Sequence, residues 1–332
     1  MVVLCAVVVV GAVLVVAAAQ GGGGEEAAAS TGKAEMVPAL FVFGDSLIDN
    51  GNNNNLASFA KANYYPYGID FAAGPTGRFC NGYTIVDELA ELLGLPLVPP
   101  YSQASGHVQQ LLQGVNFASA AAGILDESGG NFVGRIPFNQ QIDNFEATVE
   151  QIAGAIGKEA AASMVARSIL FVGLGSNDYL NNYLMPNYNT RRRYTPRQFA
   201  DLLADRYAAQ LTRLYKAGAR KFVVAGVGSM GCIPNVLAQS VESRCSPEVD
   251  AMVVPFNANV RAMLGRLDGG GLPGARLVTC LPFMPPCDGR ERYVFWDAFH
   301  PTAAVNVLIA REAFYGGADV VSPINVRCLA AL

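Results

Sequence analysis

The sequence predicts a layered α/β domain built on a parallel sheet, and three observations lead there. Four short runs rich in β-branched and aromatic residues are continuously apolar instead of alternating, as strands buried on both faces are. Longer helical patterns with recognisable ends lie between them. Two blocks of small and polar residues follow directly on two of the runs, at the carboxyl ends where strands of open sheets carry their chemistry.

The runs are Ala39–Phe43, Ser168–Gly173, Arg220–Ala225 and Ala275–Thr279. The clearest helix opens with Thr195 as N-cap, Pro196 in the first turn and Gln198 completing a capping box, and should close at Gly218. A second runs from Ser246-Pro247-Glu248 to about Leu267, and a third from beside His300-Pro301 to about Phe314. With 52% hydrophobic and 15% charged residues in a chain of 332, there is apolar material for one large core. No long polar linker interrupts the chain after residue 36, so residues 37–332 read as one domain.

The ends and the charge bound the setting. Residues 1–19 form an uncharged apolar leader whose small-residue end, Ala17-Ala18-Ala19, suits signal-peptidase cleavage. The leader carries no Lys or Arg, and its length also meets the lower limit of a membrane span. A Gly-rich, polar stretch over residues 20–36 follows without a basic stop-transfer cluster and reads as a flexible segment. The expectation is therefore a secreted, extracellular protein, with no stable membrane span once the leader is removed. A formal charge of −4 with both signs interspersed offers no basic track for nucleic acid. The one basic run, Arg191-Arg192-Arg193, reads as a solvated loop.

Cys5 lies in the leader, which leaves six cysteines, and an even number in an exported chain reads first as disulfides. Cys232 with Cys245 and Cys280 with Cys287 are each close in sequence and flank a Pro-containing loop that a bridge would close. No CxxC and no pair of nearby histidines occurs, so neither a metal nor any other cofactor is expected. No Asn-x-Ser/Thr acceptor for N-glycosylation occurs either.

Serine hydrolysis without a metal needs a base that titrates near neutrality, and the chain has two histidines, His107 and His300. His300 lies in Asp297-Ala298-Phe299-His300-Pro301, where an acid three residues upstream can take a ring N–H and fix the tautomer. Pro301 as first helical residue would set His300 at a helix N-terminus, which disfavours the imidazolium. His107, in Ser105-Gly106-His107-Val108, has no acid nearby and reads as a surface residue. The serine candidate is Ser46, set where the first strand ends and followed by Asp49-Asn50-Gly51 and the turn-favouring asparagines 52–55. By itself it also reads as a helix cap. The Gly-x-Ser-x-Gly elbow of α/β-hydrolases is absent; Gly228-Ser229-Met230-Gly231 lacks the first glycine.

Taken in order, the blocks resemble the plant GDSL esterase/lipase branch of the SGNH hydrolase superfamily over nearly all of residues 37–332. They are Phe41-Val-Phe-Gly-Asp-Ser-Leu-Ile-Asp-Asn-Gly-Asn52, Gly77-Arg-Phe-Cys-Asn-Gly82, Asn116-Phe-Ala-Ser-Ala-Ala-Ala-Gly-Ile124, Gly175-Ser-Asn-Asp178 and Asp297-Ala-Phe-His-Pro301. The resemblance implies a flavodoxin-like three-layer α/β/α sandwich with a parallel sheet, usually of five strands. It implies an ester hydrolase acting on lipid or other acyl esters, with Ser46 as nucleophile, His300 as base and Asp297 orienting it. By the same likeness Ser46 and Gly123, through their N–H groups, and Asn177, through its side-chain amide, form the oxyanion hole.

The sequence departs from that pattern in one place. After Ala275-Arg-Leu-Val278 the chain runs almost straight into Thr279-Cys280-Leu281-Pro282, and roughly 35 residues of the family pattern are wanting: the end of the fifth strand, a helix and a cysteine-rich loop. The fifth-strand region is thus expected to be truncated. The alternative that follows is a catalytically impaired or binding-only relative that keeps the motifs.

Overall fold

A computed structural model describes residues 34–239, 244–267, 294–318 and 320–332, together with the backbone of 276–280. The leader therefore lies outside the described residues, as does the Cys280–Cys287 pairing. Within them the polar N-terminal segment already ends at Met36, whose N–H donates to the Leu93 carbonyl at 3.0 Å.

Five parallel strands make one sheet: β1 (Leu40–Gly44), β2 (Gly114–Asn116), β3 (Ile169–Gly173), β4 (Lys221–Ala225) and β5 (Arg276–Cys280), in the order β2-β1-β3-β4-β5. This is the flavodoxin order, the three-layer α/β/α architecture expected. The four apolar runs supply β1, β3, β4 and β5, each one residue from the boundary expected. β2 was not anticipated, because a three-residue Gly-Val-Asn segment carries no apolar run to detect.

Strand residues alternate between two cores. Phe41, Phe43, Leu170, Val172, Phe222 and Val224 face one side, where α2 (Phe138–Ile156), α3 (Lys158–Arg167), α4 (Pro196–Lys216) and α5 (Pro247–Arg266) pack. Leu40, Val42, Ile169, Phe171 and Val223 face the other, covered by α1 (Ile85–Leu92), α6 (Ala303–Tyr315) and α7 (Val326–Ala331). With both faces buried the strands have no polar side to show, which is why they read as unbroken apolar runs. The Thr195/Gln198 capping box forms as expected and α4 stops at Lys216, just before Gly218 at φ +113°.

Two expectations need correction. The chain does not lose the end of its fifth strand: Thr279 and Cys280 pair with Val224 and Ala225, so β5 matches β4 over all five residues. A parallel ladder asks only for backbone groups in register, and residues from beyond the expected junction meet that requirement. The connection after Cys280 lies outside the described residues. Nor does Pro301 start a helix. It lies in a β-bridge to Phe295, and α6 begins at Ala303 with Thr302 as N-cap, so His300 sits before the helix and not on its first turn.

Among the described cysteines, Cys232 and Cys245 form a disulfide, whereas Cys80 and Cys328 are free thiols. An even cysteine count therefore does not translate into full pairing. Cys80 is buried and donates to the Gly82 carbonyl at 3.2 Å, and burial pushes its thiol up to about 12. No helix among the described residues is long and apolar enough to cross a membrane.

Closing the 232–245 loop removes freedom from the unfolded chain, on the order of 3 kcal/mol in the chain-entropy account. Replacing Cys232 and Cys245 together by Ser should lower the thermal midpoint by several degrees in calorimetry under oxidising conditions. Equal midpoints in parent and variant would show that the bridge does not constrain the unfolded state.

Candidate active site

The strand order dictates where a site can form. From β1 the chain crosses to β2 on one side and then returns to β3 on the other, so the loops leaving β1 and β3 part and open a crevice at their carboxyl ends. The loop after β1 carries Ser46; the one after β3 carries Asn177.

Ser46 sits in a turn closed by the N–H groups of Ile48 and Asp49 donating to the Asp45 carbonyl. The strand end beneath it is clamped by buried Gln141 of α2, whose Oε1 accepts from Gly44 N–H at 3.0 Å and whose Nε2 donates to Gly44 O at 2.9 Å. One side-chain amide thus continues the ladder where no strand remains to pair. Behind the turn, Asp49 accepts from the N–H groups of Gly51, Asn52 and Ala120. Asn52 donates to the carbonyls of Asn116 and Ala118, and Asn53 to those of Ala60 and Ala120. The asparagine run read as turn-forming therefore also ties the first block to the block leading to Gly123.

His300 completes the arrangement. Its Nε2 is 2.7 Å from Ser46 Oγ, and its Nδ1 is 2.8 and 2.7 Å from the two oxygens of Asp297. Nδ1–H donates to the carboxylate, leaving Nε2 to accept the serine hydroxyl proton. The backbone N–H groups of Phe299 and His300 also donate to Asp297 Oδ1, and the Tyr67 hydroxyl donates to Oδ2 at 2.7 Å. Burial alone would raise the Asp297 carboxyl, but the adjacent His300, its ring hydrogen bond and the Tyr67 hydroxyl outweigh it and hold the group down to about 2. His107 is exposed, caps a short helix and lies apart from this cluster.

The histidine is steadied from the first third of the chain. Phe79 lies against the His300 ring at 5.0 Å between centroids, and Asn81 Oδ1 accepts from Ala303 N–H at 2.8 Å, holding the start of α6. Both residues belong to the loop anchored by the buried Arg78–Asp87 pair, a two-pronged contact at 2.8 and 2.7 Å. The pairing of Trp296 N–H with His300 O and of Thr302 N–H with Val294 O fixes the backbone around His300.

Facing Ser46, the N–H groups of Ser46 and Gly123 donate to no other described residue. Gly123 is held by its neighbours: Asp178 accepts from Ile124 N–H at 2.7 Å, Leu125 N–H at 3.0 Å and Ser128 Oγ at 2.7 Å. A Cβ on Gly123 would stand 2.6 Å from Ser128 Cβ and 2.8 Å from the Asp178 oxygens, so the position admits glycine alone. Asn177 Nδ2 lies 2.9 Å from Ala122 O and 3.4 Å from Asp45 Oδ2. Ser46, His300 and Asp297 thus form one hydrogen-bonded chain, and Asn177 is bonded to Asp45 and Ala122, the sequence neighbours of Ser46 and Gly123. Those that sequence reasoning missed, Tyr67, Gln141 and Asp178 in its supporting role, act across long sequence separations that leave no local pattern. Among the described residues no group of three or more His, Cys, Asp or Glu is placed to hold a metal ion.

Residues 40–313 match the family model described as GDSL-like Lipase/Acylhydrolase. The chain belongs to this family. It is 56% identical to GDSL esterase/lipase At1g71691 of Arabidopsis thaliana over 335 positions, covering 90% of this chain and 86% of the relative. It is 46% identical to GDSL esterase/lipase At1g29660 of the same plant over 344 positions, covering 90% and 93%. Membership and these identities make it a carboxylic ester hydrolase. Ninety per cent of 332 residues is 299, some 36 fewer than the 335 aligned positions of the first match. A shortfall of that size accords with the expectation of a missing stretch.

Three buried carboxylates crowd this GDSL site, and burial drives each upward: Asp45 to about 7, Asp49 and Asp178 to about 6. For Asp45, with one backbone donor from Leu47, the folded state favours the neutral form. That contribution to stability is complete below the ordinary value of 3.8 and is lost as the pH rises through about 7. Asp45→Asn keeps an acceptor for Leu47 and cannot ionise. Its unfolding free energy should exceed the parent's by a few kcal/mol at pH 8 and by clearly less at pH 5. Denaturant titrations at both values test this, and a difference that does not change with pH would refute the assignment.

Proposed function

We propose that this GDSL hydrolase cleaves carboxylic esters of lipids or acylated cell-wall components through an acyl-enzyme on Ser46. The observation that carries the reading is the single hydrogen-bonded chain from Asp297 through His300 to Ser46 Oγ. His300 takes the hydroxyl proton as Oγ attacks the ester carbonyl, and then gives it to the departing alcohol. Water, activated by the same ring, releases the acid. Asp297 holds the tautomer and stabilises the imidazolium. The N–H groups of Ser46 and Gly123 and the Asn177 amide take the developing oxyanion, donors worth on the order of 3 kcal/mol each.

An apolar substrate is supported by the surroundings. Phe59, Tyr64, Tyr65 and Val133 are largely exposed on loops around a small cluster made by Ala60, Ala62, Phe79, Ala120 and Ala121. That cluster backs onto both His300 and the segment leading to Gly123. Export to the cell wall or apoplast, with residues 1–19 removed, is supported by the leader and by the Cys232–Cys245 bridge, a bond that persists in oxidising compartments.

A second reading, a catalytically impaired form, is favoured by the internal shortfall of some 36 positions against the first relative. The supports of Asp297 and His300 argue against it, since Tyr67, Phe79 and Asn81 hold the pair from residues 67–81. Expressing this chain beside a version with the segment restored separates the two by turnover and thermal midpoint.

Ser46→Ala and His300→Ala should each lower turnover of a short-chain aryl ester by at least about 10⁴-fold with folding intact. His107→Ala should match the parent. An organophosphonate should label the parent stoichiometrically at Ser46 by mass spectrometry. Retained turnover in Ser46→Ala, or equal losses from the two histidine variants, would overturn the mechanism.

A further inference from the structure

The side-chain amide of Asn177 has two chemically distinct ends, and only one of them can serve an oxyanion. Its Nδ2 lies 2.9 Å from the Ala122 carbonyl, an acceptor that cannot donate, which favours the N–H end on that side. The other amide hydrogen points to Asp45 Oδ2 at 3.4 Å, beyond the usual range of a good hydrogen bond. One N–H is therefore committed to Ala122 and the second is only loosely held, next to Ser46 and available to an incoming charge. The Oδ1 end points the opposite way and accepts from Asn181 Nδ2 at 2.6 Å.

Asn181 reaches that oxygen because of local backbone geometry. Residues Tyr179–Tyr183 form a π-turn, with Leu184 N–H donating to Tyr179 O at 2.9 Å, and Asn181 has non-helical angles of φ −116°, ψ 25° within it. The four-residue spacing brings the Asn181 side chain beside Asn177. Its own carbonyl is fixed by Gly129 N–H at 3.1 Å, so the turn is tied to the loop following Gly123. Asn182, one residue on, faces elsewhere and donates to Ser128 Oγ at 3.1 Å.

We propose that Asn181 is a positioning residue for acyl transfer, locking the Asn177 amide with its N–H end toward the oxyanion. This rests on the reading of Asn177 as an oxyanion donor. An amide terminal torsion is broad and two-fold, so an asparagine held at one end alone also samples the inverted state. Inverted, Oδ1 would stand against the Ala122 carbonyl, the Asp45 carboxyl and the oxyanion itself. Two partners of opposite kind, an acceptor at Nδ2 and a donor at Oδ1, together select one state. The gain is preorganisation: the donor is aimed before the charge appears.

Asn181→Asp tests this, because a near-isosteric carboxylate can only accept and so rewards the inverted amide. Turnover should fall by on the order of 100-fold, the scale of losing one oxyanion donor, with KM nearly unchanged. Asn181→Leu, of similar size but without a donor, should fall by about tenfold, because the amide is released and not inverted. A double-mutant cycle with Asn177→Ala supplies the decisive readout. If Asn181 acts through Asn177, Asn181→Asp and Asn181→Leu should cost nothing further once Asn177 is Ala. Parent-like turnover in Asn181→Asp, or an undiminished loss in the Asn177→Ala background, would overturn the proposal. If Asn177→Ala itself turns over like the parent, the oxyanion reading of Asn177 fails instead. Thermal midpoints are measured for each variant, and should Asn181→Asp not fold, the Asn181→Leu cycle decides alone.

Discussion

The site depends on one constraint: the chain leaves the sheet at β1 and β2 while still buried, and its backbone groups must find partners that no strand supplies. Gln141 meets it at Gly44, Asp49 at three N–H groups and Asp178 at two. A buried unpaired backbone group costs about as much as a lost hydrogen bond or more, so these side chains cannot be exchanged freely. Satisfying the loops also fixes them. The polar residues that make burial tolerable are the same ones that aim Ser46 and Gly123.

The second half of the machinery is held by different means. Asp297 and His300 stand on a short two-sided bridge, with aromatic and polar support from residues 67–81. Tyr67 binds the outer oxygen of the carboxylate, and that contact helps keep Asp297 ionised despite its burial. The geometry of Asp297 and His300 therefore draws on residues from the first third of the chain.

Much of this was legible in the sequence because the signals are local. β1, β3 and β4 are unbroken apolar runs, the Thr195 capping box spans four residues, and Asp297 stands one turn's distance from His300. Where signals are not local, the reading failed. β2 is three residues long; Tyr67 meets Asp297 across 230 positions; Gln141 meets Gly44 across 97. The helix expected to begin at Pro301 begins at Ala303, with Thr302 as N-cap and Pro301 in the bridge to Phe295. Asn181 was overlooked for another reason. It lies three residues beyond a recognisable block, and its contact with Asn177 depends on a π-turn that sequence spacing does not announce.

The distance in sequence between Ser46 and His300 has a consequence for the protein's life before it is complete. Chains are made from the N-terminus and domains fold largely as units. The serine, the Gly44 clamp and the Asn177 loop are all synthesised while the base is still unmade, and the surfaces of Phe79 and Asn81 wait for a partner that arrives within the last tenth of the chain. A nascent or C-terminally clipped molecule therefore carries Ser46 without its His300 partner. The contact between the two is a property of the finished polypeptide.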